Sequence, residues 1–150
     1  MKKQQFTFTT AEGKVETRSS ARPYTHVVVG RSDFNKQRAH VVAMRSKMAK
    51  NDRDNYRFWA TCASTPVGAI YPGENFTVRQ EAHDQGLKII AAYPTVESYV
   101  AARADARYNA VPAGDTGPEL VLQWSMTERA ARAAVSAFLK FHSDVRVVAL

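Results

Sequence analysis

A single cysteine, Cys62, is all the thiol the sequence carries. An intrachain disulfide and a multi-cysteine zinc site are thereby excluded, and a reducing compartment is the simplest setting. No apolar run approaches the length of about 20 residues that a membrane-spanning helix needs. The opening MKKQQFTFTT is basic but lacks the apolar core of a secretion signal. The chain therefore reads as soluble, unexported and cytoplasmic, with no membrane partner. The common phosphate cradles are missing as well: there is no Walker loop, no G-x-G-x-x-G and no G-x-S-x-G elbow. His26, His40, His83 and His142 are widely separated, and none stands in an H-x-x-x-H or H-E-x-x-H arrangement. The paired H-x-T or H-x-S signature of small phosphoesterases is absent too, so no metal and no cofactor is indicated.

Acidic residues are the minority. Fourteen Asp and Glu face 21 Lys and Arg, a net charge of +7, which excludes a protein that mimics DNA with an acidic surface. The excess is uneven. Residues 1–57 hold thirteen Lys or Arg against five Asp or Glu, residues 58–117 four against six, and residues 118–150 four against three. A basic first third points to an anionic partner: nucleic acid, a nucleotide-like ligand, or an acidic protein. Its structural counterpart is a solvated face that serves solubility alone.

The 150 residues suit one α+β domain with a real core. QQFTFTTAEGKVETRSS predicts a hairpin, with Phe6 and Phe8 alternating against polar neighbours and Gly13 at the turn. PYTHVVV predicts a third strand, which Gly30, Ser32 and Asp33 close before a helix capped by Asp33 or Ser32. Val41, Met44 and Met48 form the inner stripe of that helix. NDRDN, residues 51–55, reads as a polar break, and residues 56–64 as a strand, with helix as the alternative. TPVGAIYPGEN is a loop. Thr77 and Gln80 make a capping pattern for a helix that Pro94 ends or kinks, and a further helix covers roughly residues 95–109. In the last thirty residues ELVLQW is a strand, and Ser125 with Glu128 caps a helix to about His142. Ala131, Ala134, Val135, Phe138 and Leu139 form its inner face, and DVRVVAL is a final strand. The expected architecture is a single domain over 1–150. It has a mainly antiparallel sheet of about five strands, helices on one face, and a C-terminal strand-helix-strand unit.

Catalytic groups are sparse. Cys62 needs a base held beside it to be a nucleophile, and a lone cysteine in an aromatic run is far more often core. Glu81 and Asp84 flank His83 at a spacing that solvated helix faces produce constantly. What stands out is arginine. Arg18, Arg22 and Arg31 bracket the second and third strands, Arg38 and Arg45 follow on the helix, and Arg53 and Arg57 lie beyond. Guanidinium forks match phosphate oxygens bidentately, and Tyr24, Tyr56 and Trp59 fall among them as base-stacking surfaces would. The plainer alternative makes most of these aromatics core. In the third strand, Thr25, Val27 and Val29 make the better core face, which turns Tyr24 and His26 outward or into a second layer. The candidate ligand-binding set is Arg18, Arg22, Tyr24, His26, Arg31, Arg38, Arg57 and Trp59, with no catalytic residue.

The segments RSSARPYTHVVVGR and LVLQWSMTERAARAA resemble stretches of small proteins of unknown function encoded by bacteriophages and related mobile elements. That resemblance implies a cytoplasmic accessory protein of infection, a host-takeover factor or an inhibitor of bacterial defence, and it supplies no catalytic residue. The leading expectation is thus a non-enzymatic binder of nucleic acid or a nucleotide-like anion. The alternatives are a protein-protein inhibitor docking on an acidic host protein and, third, a small nucleotide-processing enzyme. Homo-oligomerisation stays open.

Overall fold

The computed structural model describes residues 2–150. In chain order its elements are β1 (Gln4–Thr9), β2 (Val15–Ser20), β3 (His26–Asp33), α1 (Phe34–Ala43), α2 (Arg45–Ser64), α3 (Gln80–Ala92), α4 (Val96–Asn109), β4 (Thr116–Ser125), α5 (Glu128–Phe138) and β5 (His142–Ala149). The architecture is α+β, with every strand pairing antiparallel. The five strands are shared between a β1-β2 hairpin and a three-stranded sheet of order β4-β3-β5. Two compact units result: a sheet unit comprising residues up to His40 with Val111–Leu150, and a helical unit, Val41–Ala110.

In the sheet unit the hairpin turns where Gly13 adopts φ 81°, a conformation that only glycine takes without strain. Gly13 N donates to Thr10 O, and Lys14 N to the Thr10 hydroxyl. β3 is the central strand, and Val27, Val28 and Val29 are each 0% exposed. Burial of successive residues means that both faces of the strand are covered, so Val28 is core along with Val27 and Val29. Tyr24 and His26 accordingly enter a second layer. The strand also runs past the residues expected to close it. Gly30 lies within it, paired with Leu120, where a Cβ would stand 3.0 Å from Leu122 Cδ1 and 3.1 Å from Val145 Cγ2. Asp33 then caps α1, accepting from Lys36 N at 2.9 Å.

β4, α5 and β5 form the expected strand-helix-strand unit in its split form: β4 and β5 run parallel with β3 antiparallel between them. The cap of α5 is Thr127, however, whose hydroxyl accepts from Ala130 N at 3.2 Å. Ser125 is still strand, buried, and its hydroxyl accepts from the Gln123 amide. The helix stops at Phe138, with Ala131 buried, Phe138 half-buried and Leu139 46% exposed.

The helical unit departs further from expectation. α1 and α2 are separated at Met44, and α2 runs unbroken through NDRDN and residues 56–64. The period-2 alternation of Tyr56, Phe58, Ala60 and Cys62 is also compatible with helical spacing, since Phe58 and Cys62 lie one turn apart. The polar residues meant to interrupt the helix instead make its tertiary contacts. Asp52 receives Arg107, and Asn55 donates to the Tyr99 hydroxyl. Thr77 caps nothing. It forms a bridge with Ile70, and α3 begins at Gln80 after an extended Arg79 with no side-chain cap. α3 ends ahead of Pro94, and α4 opens with a Thr95–Ser98 capping box. No helix among the described residues is long and apolar enough to cross a membrane.

Candidate nucleic-acid interface

Six of the eight candidate residues lie in the sheet unit, and Arg57 and Trp59 lie in the helical unit. The cross-strand pairs of the hairpin decide what Arg18 meets. It stands opposite Phe6, which places both on one face. Its guanidinium lies 5.7 Å from the centre of the Tyr24 ring, a cation–π approach. Tyr24 in turn touches Phe6 edge-on at 5.4 Å and Trp124 at 5.8 Å. Phe6 and Trp124 thus complete an aromatic group that spacing along the chain does not reveal, although the Phe6/Phe8 alternation carries part of the signal. His26 sits beside this group, half-buried. Thr25 Oγ1 lies 2.9 Å from Met126 O, to which it donates, and 2.8 Å from His26 Nδ1.

The remaining candidates divide sharply by partner. Arg31 is committed: it pairs with Glu12 at 2.5 Å and donates to Gly117 O at 3.2 Å, with Asp144 at 3.9 Å. The same hydrogen bond from Arg31 holds the Glu12 carboxyl below its ordinary pKa, with a further contribution from Glu119 N. Arg38 braces the loop before β4, donating to Pro112 O, Gly114 O and Asn35 Oδ1. Arg22 differs, because its side chain is exposed and has no partner among the described residues. In the helical unit Arg57 lies 3.5 Å from Asp54, and Trp59 packs against Phe58 at 5.0 Å.

The open end of the hairpin gathers charge. Gln4 pairs with Ser20, so Lys2 and Lys3 enter the hairpin at the end where Arg22 leaves it, with Arg18 one step inside. None of these four has a carboxylate partner among the described residues. Lys14, Arg31, Lys36, Arg132 and Arg146 of the same unit do, while Arg38, Arg129 and Lys140, which also lack one, lie away from this end. The hairpin face opposite Phe6 and Arg18 is exposed and carries Gln5, Thr7, Thr17 and Ser19. Glu12 and Glu119 were the unread signal: both carboxylates intercept arginines that charge counting alone leaves free. Among the described residues no three His, Cys, Asp or Glu side chains converge as a metal site. Cys62 is buried in the helical unit, which raises its thiol pKa. No protein-family model, no curated protein and no solved structure matches the chain.

Proposed function

We propose that the sheet unit is a non-enzymatic nucleic-acid-binding module, in an accessory role of the phage type, that grips phosphates with the open end of the β1-β2 hairpin. One observation carries this reading: the unpaired cations Lys2, Lys3, Arg18 and Arg22 collect at that end. Unpaired guanidinium and ammonium groups are the ones that displace condensed counterions from a polyanion. Gln5, Thr7, Thr17 and Ser19 add exposed amide and hydroxyl donors of the kind that contact phosphate and sugar and carry no sequence information. Tyr24, flanked by Phe6 and Trp124, holds Arg18 in place through its ring face. Binding is therefore expected to be salt-sensitive and tolerant of sequence.

The test is a titration of labelled single-stranded and duplex oligonucleotides at several salt concentrations. Arg18→Gln with Arg22→Gln should lower affinity. It should also flatten the slope of log affinity against log salt by about two, one for each phosphate left without its cation. Arg129→Gln on α5 serves as the control and should change little. Arg31 is a poor probe, because replacing it also strands Glu12. Absence of binding to any oligonucleotide at low salt would overturn the proposal and favour docking on an acidic protein.

A further inference from the structure

A cleft of about 270 Å³ opens within the helical unit between α2 and α4. Its lining is small and apolar: Ala49 and Ala104, both half-buried, and the exposed Ala101 leave the space, with Met48 and Val100 beside them. The polar groups around it are unequal. Asp52, 3% exposed, is neutralised by a bidentate pair with Arg107 at 2.5 and 2.7 Å, with Arg103 at 3.8 Å. The same hydrogen bond raises the Arg107 pKa, so neither group is available to a ligand. Arg45 and Arg53, two turns apart on α2, also line the cleft and have no partner among the described residues. Glu97 is the single uncompensated carboxylate there.

We infer that this cleft binds a small amphiphilic anion, a carboxylate on a body of one or two fused rings or a short chain. The apolar body would lie over the alanines, and the anionic group would pair with the unpaired guanidinium groups. The volume falls just below the range of about 300–1,000 Å³ typical of pockets for drug-sized ligands, which sets the size of the body. Two free cations against one free carboxylate set the sign. This site is separate from the hairpin proposal and does not depend on it.

The experiment uses the full chain and isothermal titration with 2-naphthoate, octanoate and the neutral 2-naphthamide. The carboxylates should bind at least about tenfold more tightly than the amide, the worth of one charge-assisted hydrogen bond. Arg45→Gln with Arg53→Gln should erase that preference while leaving weak binding of the ring. Ala101→Leu, at the cleft wall, should fill the space and lower naphthoate affinity at least about tenfold, with the far-UV spectrum and melting curve checking the fold; Ala104→Leu is the second filling variant. Equal affinity for amide and carboxylate, indifference to both filling variants, or no binding of any probe would overturn the inference. Sedimentation at the titration concentrations identifies one competing occupant. A dimer that Ala101→Leu dissociates, with no probe bound, assigns the cleft to a second copy of the chain and also overturns it.

Discussion

In the sheet unit three consecutive valines of β3 are wholly shut from solvent, whereas among the described residues of the helical unit no two consecutive residues are buried. A central strand with neighbours on both edges and layers on both faces can bury every residue it has. A helix touching one or two others buries a stripe and exposes the rest. The sheet unit therefore rests on β-branched side chains in a continuous block. The helical unit is held by more scattered groups, among them the Tyr56, Tyr93 and Tyr99 rings, the stack of Phe58, Tyr71 and Phe76, the Asp52–Arg107 pair, the buried Cys62 and Val78, the His83 ring against Cys62 O and Thr65 O, and one place where two backbones meet.

That meeting place is Gly86 on α3. A Cβ there would overlap Trp59 O and lie 2.8 Å from Ala63 N, both backbone atoms of α2, which cannot rotate away. The two helices can only approach so closely because the side chain is absent. Gly86→Ala should consequently give the largest loss, about 3 kcal/mol, at the upper end of the usual cost of overpacking. Urea unfolding measures it, and amide hydrogen exchange should speed up in α2 and α3. A near-neutral result would break the comparison, since the helical unit would then not depend on that close approach.

Each unit also buries one carboxylate, and here the sequence was least legible. Asp52 sits in a run of polar residues that reads as a break, and Glu119, 2% exposed, in a run that reads as a strand. Glu119 accepts from Arg146 and from Ala11 N, tying the hairpin turn to the sheet. Neither partner is visible from spacing, because Asp52 and Arg107 are 55 residues apart and Glu119 and Ala11 are 108. Elements whose signals are local came through: the hairpin turn at Gly13, the Asp33 cap, the interruption at Pro94 and the strand-helix-strand unit, whose split form the sequence left open against a direct one. Residues 56–64 failed as a strand because aromatic alternation over so short a run fits helix as well, and the tertiary contacts of Asp52 and Asn55 favour helix. At the candidate site the identity of the arginines was legible, but which of them remain unpaired was not. That depends on Glu12, Asp144 and the carbonyls of the loop before β4.

A smaller effect separates two hydroxyls at the start of α5. Thr127 Oγ1 accepts from Ala130 N, satisfying one of the first-turn amides that the helix leaves without a partner. Thr127→Ala should cost about 1 kcal/mol and speed exchange at the Ala130 amide. Ser125→Ala removes a hydroxyl bonded to the Gln123 side chain and should leave that amide unchanged. The reverse pattern would return the cap to Ser125 and shorten β4.

The smallest effect is one of pH, and it too belongs to the sheet unit. Glu12 and Glu128 both hold pKa values below the ordinary carboxylate value, Glu12 chiefly through its hydrogen bond from Arg31 and Glu128 chiefly through that from Arg132. A carboxyl whose pKa is lower in the folded chain binds its proton more readily when unfolded. The stability it supplies is fully present above the unfolded value of about 4.3 and is lost as the pH falls through the folded one. The Glu128–Arg132 pair lies one turn apart on an exposed helix face, so its loss should scarcely register. Glu12 joins the hairpin turn to β3 through Arg31 and to β4 through Glu119 N at 3.0 Å. Its protonation therefore loosens a tertiary link. Glu12→Gln should be less stable than the parent at neutral pH and converge with it in acid, while Glu128→Gln should track the parent throughout. Urea titrations from neutral pH to below 4 measure the difference. A constant gap between Glu12→Gln and the parent at every pH would show that the bond to Arg31 does not depend on the charge of Glu12.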